Sequence, residues 1–468
     1  MLKIIFSTVL SIFILSSTLI IYYWRDAKFE PTAQDLLLYF VLMPFLISLV
    51  MLSPYLIWTL YQFIQNKQRD SKLIEAHPSL ESENTQNRLN PEYLRLNVYA
   101  TSLQSALGQN QEIFAKMAEM PAPALDSKLV NQMGNPILSY RMPDPVDESL
   151  DHEMDRPEIS EIQQRIQALM QAELNENCAS LLTIVEHLKN SALFYDQQLA
   201  YEYRMHPAWI RSDYQEDEEE QTVVMDIPRL NMLNIHVVLS DYLLHVWNEQ
   251  SSDALIEEYL QSLGLLVQQI NVHYHYWGTE NAYAEWLKLL KTIQHQKDEI
   301  SYITVVDSAI DQDMIDEHLW TIDQYIPAEF IGSCCIAAES VQVSELSRVK
   351  VIELVENEIN LMNFIGKLGI ENLEQYANET PFFVVPDNIA QMKVAQQIAT
   401  HIGSSNIQSY HCLYSHYSLG HTQSLAKIFG FLLGLQAPES MHSFVFSLDA
   451  PYTHVIFQSE ELLSELNT

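Results

Sequence analysis

The chain has four cysteines, and these are the side chains best suited to nucleophilic chemistry. A cysteine reacts as its thiolate, which the start of a helix favours because it lowers the thiol pKa. Cys334 and Cys335 lie in an apolar run that predicts a strand, Cys178 lies in an Asn-Cys-Ala-Ser segment, and Cys412 precedes a histidine-containing loop. Their spacing fits no metal site. We therefore predict four reduced thiols that are mostly buried as small apolar side chains.

A second candidate is the segment 273–277, His-Tyr-His-Tyr-Trp. An extended chain would place His273 and His275 on one side, where they could bind a metal. No acidic or thiol side chain has the local spacing of a third ligand, so we predict aromatic packing and no metal. The chain also lacks a Gly-rich nucleotide loop and a Gly-x-Ser-x-Gly elbow. No cofactor is expected.

A third group, His416, Gly420, His421 and Thr422, stands just before an amphipathic helical pattern. Gly420-His421-Thr422 resembles the Lys-Ser-x-x-Gly-His-Thr segment of the β-ketoacyl synthases, which have the thiolase fold. The resemblance implies that His421 matches the histidine that stabilises charge developing on the substrate carbonyl. His416 stands where that family has its supporting lysine. We interpret the four residues as the remnant of a synthase-like site that no longer catalyses a reaction.

Three further segments resemble the same fold in the same order. Residues 303–308 are a strand-like run ending in Asp-Ser, and residues 327–339 resemble the family's Pro-x-Glu-x-Ala strand. Residues 444–457 resemble its last two strands, although the turn between them has no glycine. Together these segments predict a degenerate, thiolase-like layered α/β fold. The residues show no clear internal repeat, although a thiolase fold would contain two similar halves.

The resemblance also indicates where a catalytic cysteine would lie, which is at a helix start about one helix before the Asp-Ser strand. Counting back from Asp307 reaches residues 277–281, Trp-Gly-Thr-Glu-Asn, and no cysteine is there. We expect this segment to open a helix that faces the loop of His421, with no thiol within hydrogen-bond reach of the His421 ring.

The spacing of apolar residues predicts the elements that would position these groups. It favours a helical stretch over 159–188 with a break near 175–177, a core strand at 235–239, a helix at 253–272 and another at 279–293. Helices that alternate with strands are typical of α/β layering.

The N-terminal part predicts a two-helix transmembrane hairpin over residues 1–66. Residues 4–24 and 36–64 carry no charged side chain, and each run is long enough to cross a bilayer. Lys3 and Lys67 flank the outer ends, so both ends are expected in the cytoplasm. A cleaved signal peptide is the competing interpretation, but the first run has no Ala-x-Ala site and a second span follows it.

The remainder is divided into a polar linker at 67–90 and two thiolase-like halves at 91–300 and 301–468. The whole chain has 61 acidic and 25 basic residues, which argues against nucleic acid as a partner. An acidic run at residues 213–220 contains a possible partner-binding group, although a solvated loop is the simpler interpretation. That group comprises Glu216, Asp217, Glu218, Glu219 and Glu220.

The layout as a whole resembles the type VI lipase adapter family of Gram-negative bacteria. The likeness rests on the anchor, Thr-Ser-Leu-Gln at 101–104, Pro-Ile-Leu-Ser at 136–139, residues 278–283 and the synthase-like C-terminal part. It implies an inner-membrane protein that captures a lipase effector in the cytoplasm and delivers it to the secretion spike. The alternatives are a membrane-associated acyl-transfer or condensing enzyme, with His421 as oxyanion donor, or an inactive partner subunit of a β-ketoacyl synthase.

Overall fold

The computed structural model describes the chain in segments. They are residues 18, 20, 22–26, 43, 90–117, 119, 121–144, 159–205, 227–321, 325–387, 398, 407–415, 420, 424–460 and 462. The chain divides into two compact units, residues 1–89 and 90–468, and the second is considered below by itself. Within the described segments, no helix is both long and apolar enough to cross a membrane. The predicted spans at 4–24 and 36–64 lie almost wholly outside these segments, so the hairpin stays a prediction.

The second unit alternates strands and helices along the chain. Its strands are β1 (Glu92–Ser105), β2 (Gly108–Gln109), β3 (Ala124–Val130), β4 (Pro136–Ser139), β5 (Met232–Ser240), β6 (Ile270–Trp277), β7 (Glu299–Ser308), β8 (Glu329–Ala338), β9 (Lys350–Glu356), β10 (Phe383–Val385), β11 (Cys412–Tyr414), β12 (Ser443–Val445) and β13 (His454–Ser459). Its α-helices are α1 (Gln111–Met117), α2 (Glu161–Glu176), α3 (Cys178–Tyr195), α4 (Gln197–Met205), α5 (Glu249–Ser262), α6 (Ala282–Gln294), α7 (Gln312–Thr321), α8 (Leu361–Leu368) and α9 (Ala426–Leu435).

The main sheet repeats one strand topology twice. In the first half the order is β6-β5-β7-β8-β1, with β5 parallel to β6 and β7, and β8 antiparallel to its neighbours β7 and β1. In the second half the order is β11-β10-β12-β13-β9, with the same pattern of directions. When only the five strands of each path are numbered in chain order, which leaves out β2, β3 and β4, both orders are 3-2-4-5-1 with the fifth strand reversed. The chain therefore contains the two similar halves that a thiolase fold implies.

The two halves join through the antiparallel pair of β1 and β9. The change from one half to the other falls between Ala338 and Lys350, later than the 300/301 boundary expected from the sequence. Strands β7 and β8 belong to the first half because they pair with β5 and β1.

Apolar side chains pack on both faces of each half and produce five layers. Helices α2, α3 and α5 cover the outer face of the first half, and α8 covers the outer face of the second. Helices α6 and α9 lie in the core between the halves. Helix α9 buries every residue except Lys427, and a helix that is apolar on all sides belongs in an interior. The layering brings the start of α9 to the strand ends of the first half.

Most predicted elements occur, with one error. Helices α2 and α3 follow each other with the break at Asn177, and α6 matches the helix predicted at 279–293. The helix predicted at 253–272 is wrong in its second part, because α5 ends at Ser262 and β6 begins at Ile270. Gly264 ends the helical stretch with a φ of +98°, a backbone conformation that favours glycine.

Candidate functional site

The candidate site lies where strands of the first half meet a helix of the second. Strands β5, β6 and β7 are parallel, so their carboxyl ends lie at one edge of the sheet. The segment that leads into α9 contacts this edge through two hydrogen bonds. The Ser424 hydroxyl donates to Asp241 Oδ1 at 3.0 Å, and the Leu425 N–H donates to Asp307 Oδ2 at 3.3 Å. Two carboxyl groups of one half therefore hold the start of the central helix of the other.

Asp307 is the most perturbed acid of this cluster. Its side chain is buried, and burial raises the pKa of Asp307 to about 7, with a further upward contribution from the Asp241 charge. Hydrogen bonding from the Leu425 N–H, from Ser240 and from the Ser424 backbone favours the carboxylate, but together these contributions do not offset burial. Asp307 Oδ1 has no hydrogen-bond partner within the described segments. The Asp-Ser strand end thus contains an acid that exchanges its proton near neutral pH.

The start of α6 lies beside the Asp241 carboxyl group. Asn281 caps this helix, and its Oδ1 accepts the Gly278 N–H at 2.9 Å. A Cβ added at Gly278 would clash with the Asp241 carboxylate, so glycine is needed for the close approach. Residues 278–281 lead from β6 into α6, as predicted, and the segment 277–281 has no thiol. His421 lies outside the described residues, so the predicted orientation towards its loop stays a prediction. A tight turn beside a carboxylate therefore lies at the position where the sequence analysis looked for a nucleophilic cysteine.

The cysteines lie elsewhere in the fold. Cys334 and Cys335 are buried in β8 and Cys412 in β11, as expected of small apolar side chains. Burial raises the pKa of the Cys334 thiol to about 12 and that of Cys412 to about 11, so both stay protonated at neutral pH. Cys178 is the first residue of α3 and is partly exposed.

Of the four residues predicted to be a remnant of a synthase-like site, the structure describes only Gly420. Gly420 has a φ of +64°, and an added Cβ would lie 2.7 Å from the Ile326 carbonyl oxygen, so a side chain is excluded on both grounds. His416, His421 and Thr422 lie outside the described residues, and their assignment stays a prediction. The same holds for the acidic group at 216–220.

A buried ion pair supports the Asp-Ser strand end. Glu329, the acid of the Pro-x-Glu-x-Ala segment, is fully buried and accepts the Ser308 hydroxyl at 3.0 Å, next to Asp307. Arg165 of α2 donates to both Glu329 oxygens, at 2.7 and 2.5 Å. Arg165 also contacts Asp144 at 2.9 Å. Hydrogen bonds from Lys128 and Arg165 lower the pKa of Asp144 to about 2. The sequence resemblance located Glu329, but Arg165 comes from a distant helix and had no local signal.

The histidines of β6 pack with a third histidine that sequence reasoning missed. The His236 ring on β5 contacts the His275 ring, with Nδ1 and Nε2 3.0 Å apart, and stacks on His273 with ring centroids 5.1 Å apart. His275 also packs against Trp277, which confirms the predicted aromatic packing. Burial lowers the pKa of His236 to about 3 and that of His275 to about 4. Among the residues the structure describes, no His, Cys, Asp or Glu cluster has the geometry of a metal site.

Comparisons with known proteins support the layered fold and give no information on activity or partners. No protein-family model and no curated protein matches the chain. A fungal type III polyketide synthase, ORAS, aligns at 9% identity over 78% of this chain and 100% of its own, with a TM-score of 0.34. The ketosynthase from module 6 of the bacillaene synthase of Bacillus subtilis 168 aligns at 9% identity over 78% of this chain and 72% of its own, with a TM-score of 0.42.

A third solved structure is the peroxisomal 3-ketoacyl-CoA thiolase of Saccharomyces cerevisiae, described as five-layered and constructed from two core domains of identical topology. It aligns at 9% identity over 49% of this chain and 83% of its own, with a TM-score of 0.31. Because all three scores are below 0.5, these alignments carry no argument about activity or substrate. The duplicated strand order and the central helical layer of this chain itself define a thiolase-like layered α/β fold. None of the comparisons bears on the type VI lipase adapter family.

Proposed function

We propose that the chain is a non-catalytic, membrane-anchored adapter that binds a lipase effector and helps to load it onto a type VI secretion spike. The nature of the partner comes from the sequence resemblance to the adapter family. The non-catalytic character is argued from the start of α6.

The observation that carries the proposal is the environment of Gly278. No thiol is present at residues 277–281, and the Asp241 carboxylate fills the space above Gly278. Asp307 lies in the same cluster, and burial raises its pKa to about 7. A synthase nucleophile is a thiolate, which needs positive potential to form. Two neighbouring carboxyl groups have the opposite effect, because they disfavour a further negative charge. This environment supports binding without covalent catalysis.

The remaining features fit an adapter that works from the inner membrane. The uncharged runs at 4–24 and 36–64 would anchor it, with the second unit in the cytoplasm. The formal net charge of −36 favours a partner with a basic surface. Long-range attraction of this kind raises the rate of association more than it raises affinity. The acidic group at 216–220 is the proposed place where such steering acts most strongly.

Co-purification with the full-length chain in detergent tests the proposal. The adapter role predicts that a lipase and spike proteins are recovered, and that His421→Ala leaves this recovery nearly unchanged. Recovery of an acyl carrier protein, together with an acyl-transfer activity that His421→Ala removes, would overturn the proposal in favour of an enzyme. Recovery of an active synthase would instead identify an inactive partner subunit.

A further inference from the structure

A cavity of about 390 Å³ opens at the C-terminal end of α9, the opposite end of this helix from Asp307. This volume suits a small molecule. Its walls come from β1, the β2–α1 segment, the start of β9 and the residues that follow α9. The lining residues are Thr101, Gln109, Asn110, Gln111, Glu112, Val349, Lys350, Leu435, Gln436, Ala437 and Glu439. The cavity is therefore separate from the candidate site described above.

Lys350 is the unusual member of this lining. It is the first residue of β9, it is only 2% exposed, and its Nζ donates a hydrogen bond to the Ala437 carbonyl oxygen at 2.5 Å. No carboxylate of the described segments forms an ion pair with it. Burial lowers the pKa of Lys350 to about 8, against an opposing contribution from Glu439. A substantial fraction of this amine is therefore neutral in mildly alkaline solution.

A role in stabilising the end of α9 explains only part of the burial of Lys350. The bond to Ala437 caps the carbonyl end of α9, where a positive charge is favourable. An ammonium group has three donors, so one bond to a carbonyl does not use its capacity. A buried amine in the wall of a cavity is also the environment in which lysines become nucleophiles.

We propose that this cavity binds small hydroxylated aldehydes or ketones and that Lys350 forms a reversible imine with them. The neutral polar groups of the lining suit hydroxyl groups, since the Gln436 side-chain amide donates to the Thr101 hydroxyl at 2.8 Å and Asn110 and Gln109 line the same cavity. Glu439 and Glu112 make an anionic ligand unfavourable, although Lys116 lies 3.6 Å from Glu112 and offsets part of its charge.

The chemistry balances without an outside oxidant or reductant. The lone pair of the neutral Lys350 amine adds to the carbonyl carbon, and the carbonyl oxygen takes up the proton that the nitrogen loses. The resulting carbinolamine loses water and leaves a C=N bond, and added water reverses the reaction. Only the neutral amine can begin this sequence, so the rate should rise with pH through the titration of Lys350.

Trapping with borohydride tests the proposal, because borohydride reduces the imine to a stable secondary amine. The full-length chain in detergent is treated with glyceraldehyde between pH 6 and 10, and labelled lysines are quantified by peptide mass spectrometry. At pH 7.5 we expect Lys350 to be labelled about tenfold or more faster than Lys288, whose side chain is 73% exposed. The labelling of Lys350 should reach half its maximum near pH 8.

Matched variants separate the site from general reactivity. Lys350→Arg keeps a positive charge at the end of α9 and should remove the label there without changing that of Lys288. Gln109→Trp should fill the cavity and slow glyceraldehyde labelling of Lys350 at least fivefold, while formaldehyde still reacts. Glyceraldehyde 3-phosphate should label Lys350 more slowly than glyceraldehyde does. Labelling of Lys350 no faster than that of Lys288, or equal in Gln109→Trp, would overturn the proposal.

Discussion

Replacement of Asp307 by asparagine should make the protein more stable at alkaline pH. The folded chain holds Asp307 in a buried position where its pKa rises from 3.8 to about 7. Each pKa unit corresponds to about 1.4 kcal/mol, so the charged carboxylate costs the folded state about 4 kcal/mol at pH 8. Asparagine has nearly the same shape, and its oxygen can still accept the Leu425 N–H. The variant should therefore recover most of this energy.

The effect must depend on pH with a defined sign. Between about pH 4 and pH 7, Asp307 holds a proton in the folded chain that the unfolded chain has already released. The contribution of this group to stability therefore falls as pH rises through that window. We expect Asp307→Asn to match the native chain near pH 4 and to exceed it increasingly up to about pH 7, with a constant advantage above.

Thermal and urea unfolding of the purified chain at pH 5 and pH 8 provide the assay, with Asp313→Asn as control. Asp313 lies in the first turn of α7 and is exposed, so its replacement should change stability by less than about 0.5 kcal/mol. A variant at Asp307 that is less stable than the native chain at pH 8, or whose advantage is the same at both pH values, would refute the reasoning. The acidic environment inferred at the start of α6 would then lose its main support.

Three further predictions follow from the ion pair, the N-terminal runs and the acidic group. Arg165→Met should lower the free energy of unfolding, measured in urea, by about 3–5 kcal/mol, because it leaves Glu329 buried without its cation. The control Arg229→Met removes an exposed ion pair and should cost under about 0.5 kcal/mol. A reporter fused after Thr468 should give a cytoplasmic signal, and a C-terminus that external protease cleaves in intact spheroplasts would refute the hairpin. Reversing the charges at 218–220 should slow association with the lipase at low salt, with the difference fading as salt rises; equal rates at low salt would exclude steering by this group.

Local signals in the sequence located much of the site. The Asp-Ser end of β7 was recognised because a strongly apolar run ends there in two polar residues, as in the synthases. The Glu329 strand was recognised from its resemblance to the Pro-x-Glu-x-Ala segment of that family. The break at Asn177 was recognised because polar residues interrupt the helical spacing there. Each of these features is carried by a short stretch of adjacent residues.

Other important features could not be predicted from short stretches of adjacent residues, because they depend on contacts between distant parts of the chain. Asp241 follows the core strand β5 and opens a short 3-10 helix, and only the packing of Gly278 and Ser424 against it gives it a role. Lys350 is one of many charged residues in the sequence, and only its burial beside Ala437 distinguishes it. The repeated strand order was also invisible, because pairing between distant strands does not require similar residues in the two halves.

The most direct test of the adapter role is the amount of lipase effector that cells export when the gene for this chain is deleted. The adapter role predicts that the effector is still made and accumulates inside the cells, while its amount in the medium falls to background. Restoring the chain with His421→Ala should restore export. Normal export from the deletion strain, with the effector present at its usual level inside the cells, would contradict the account.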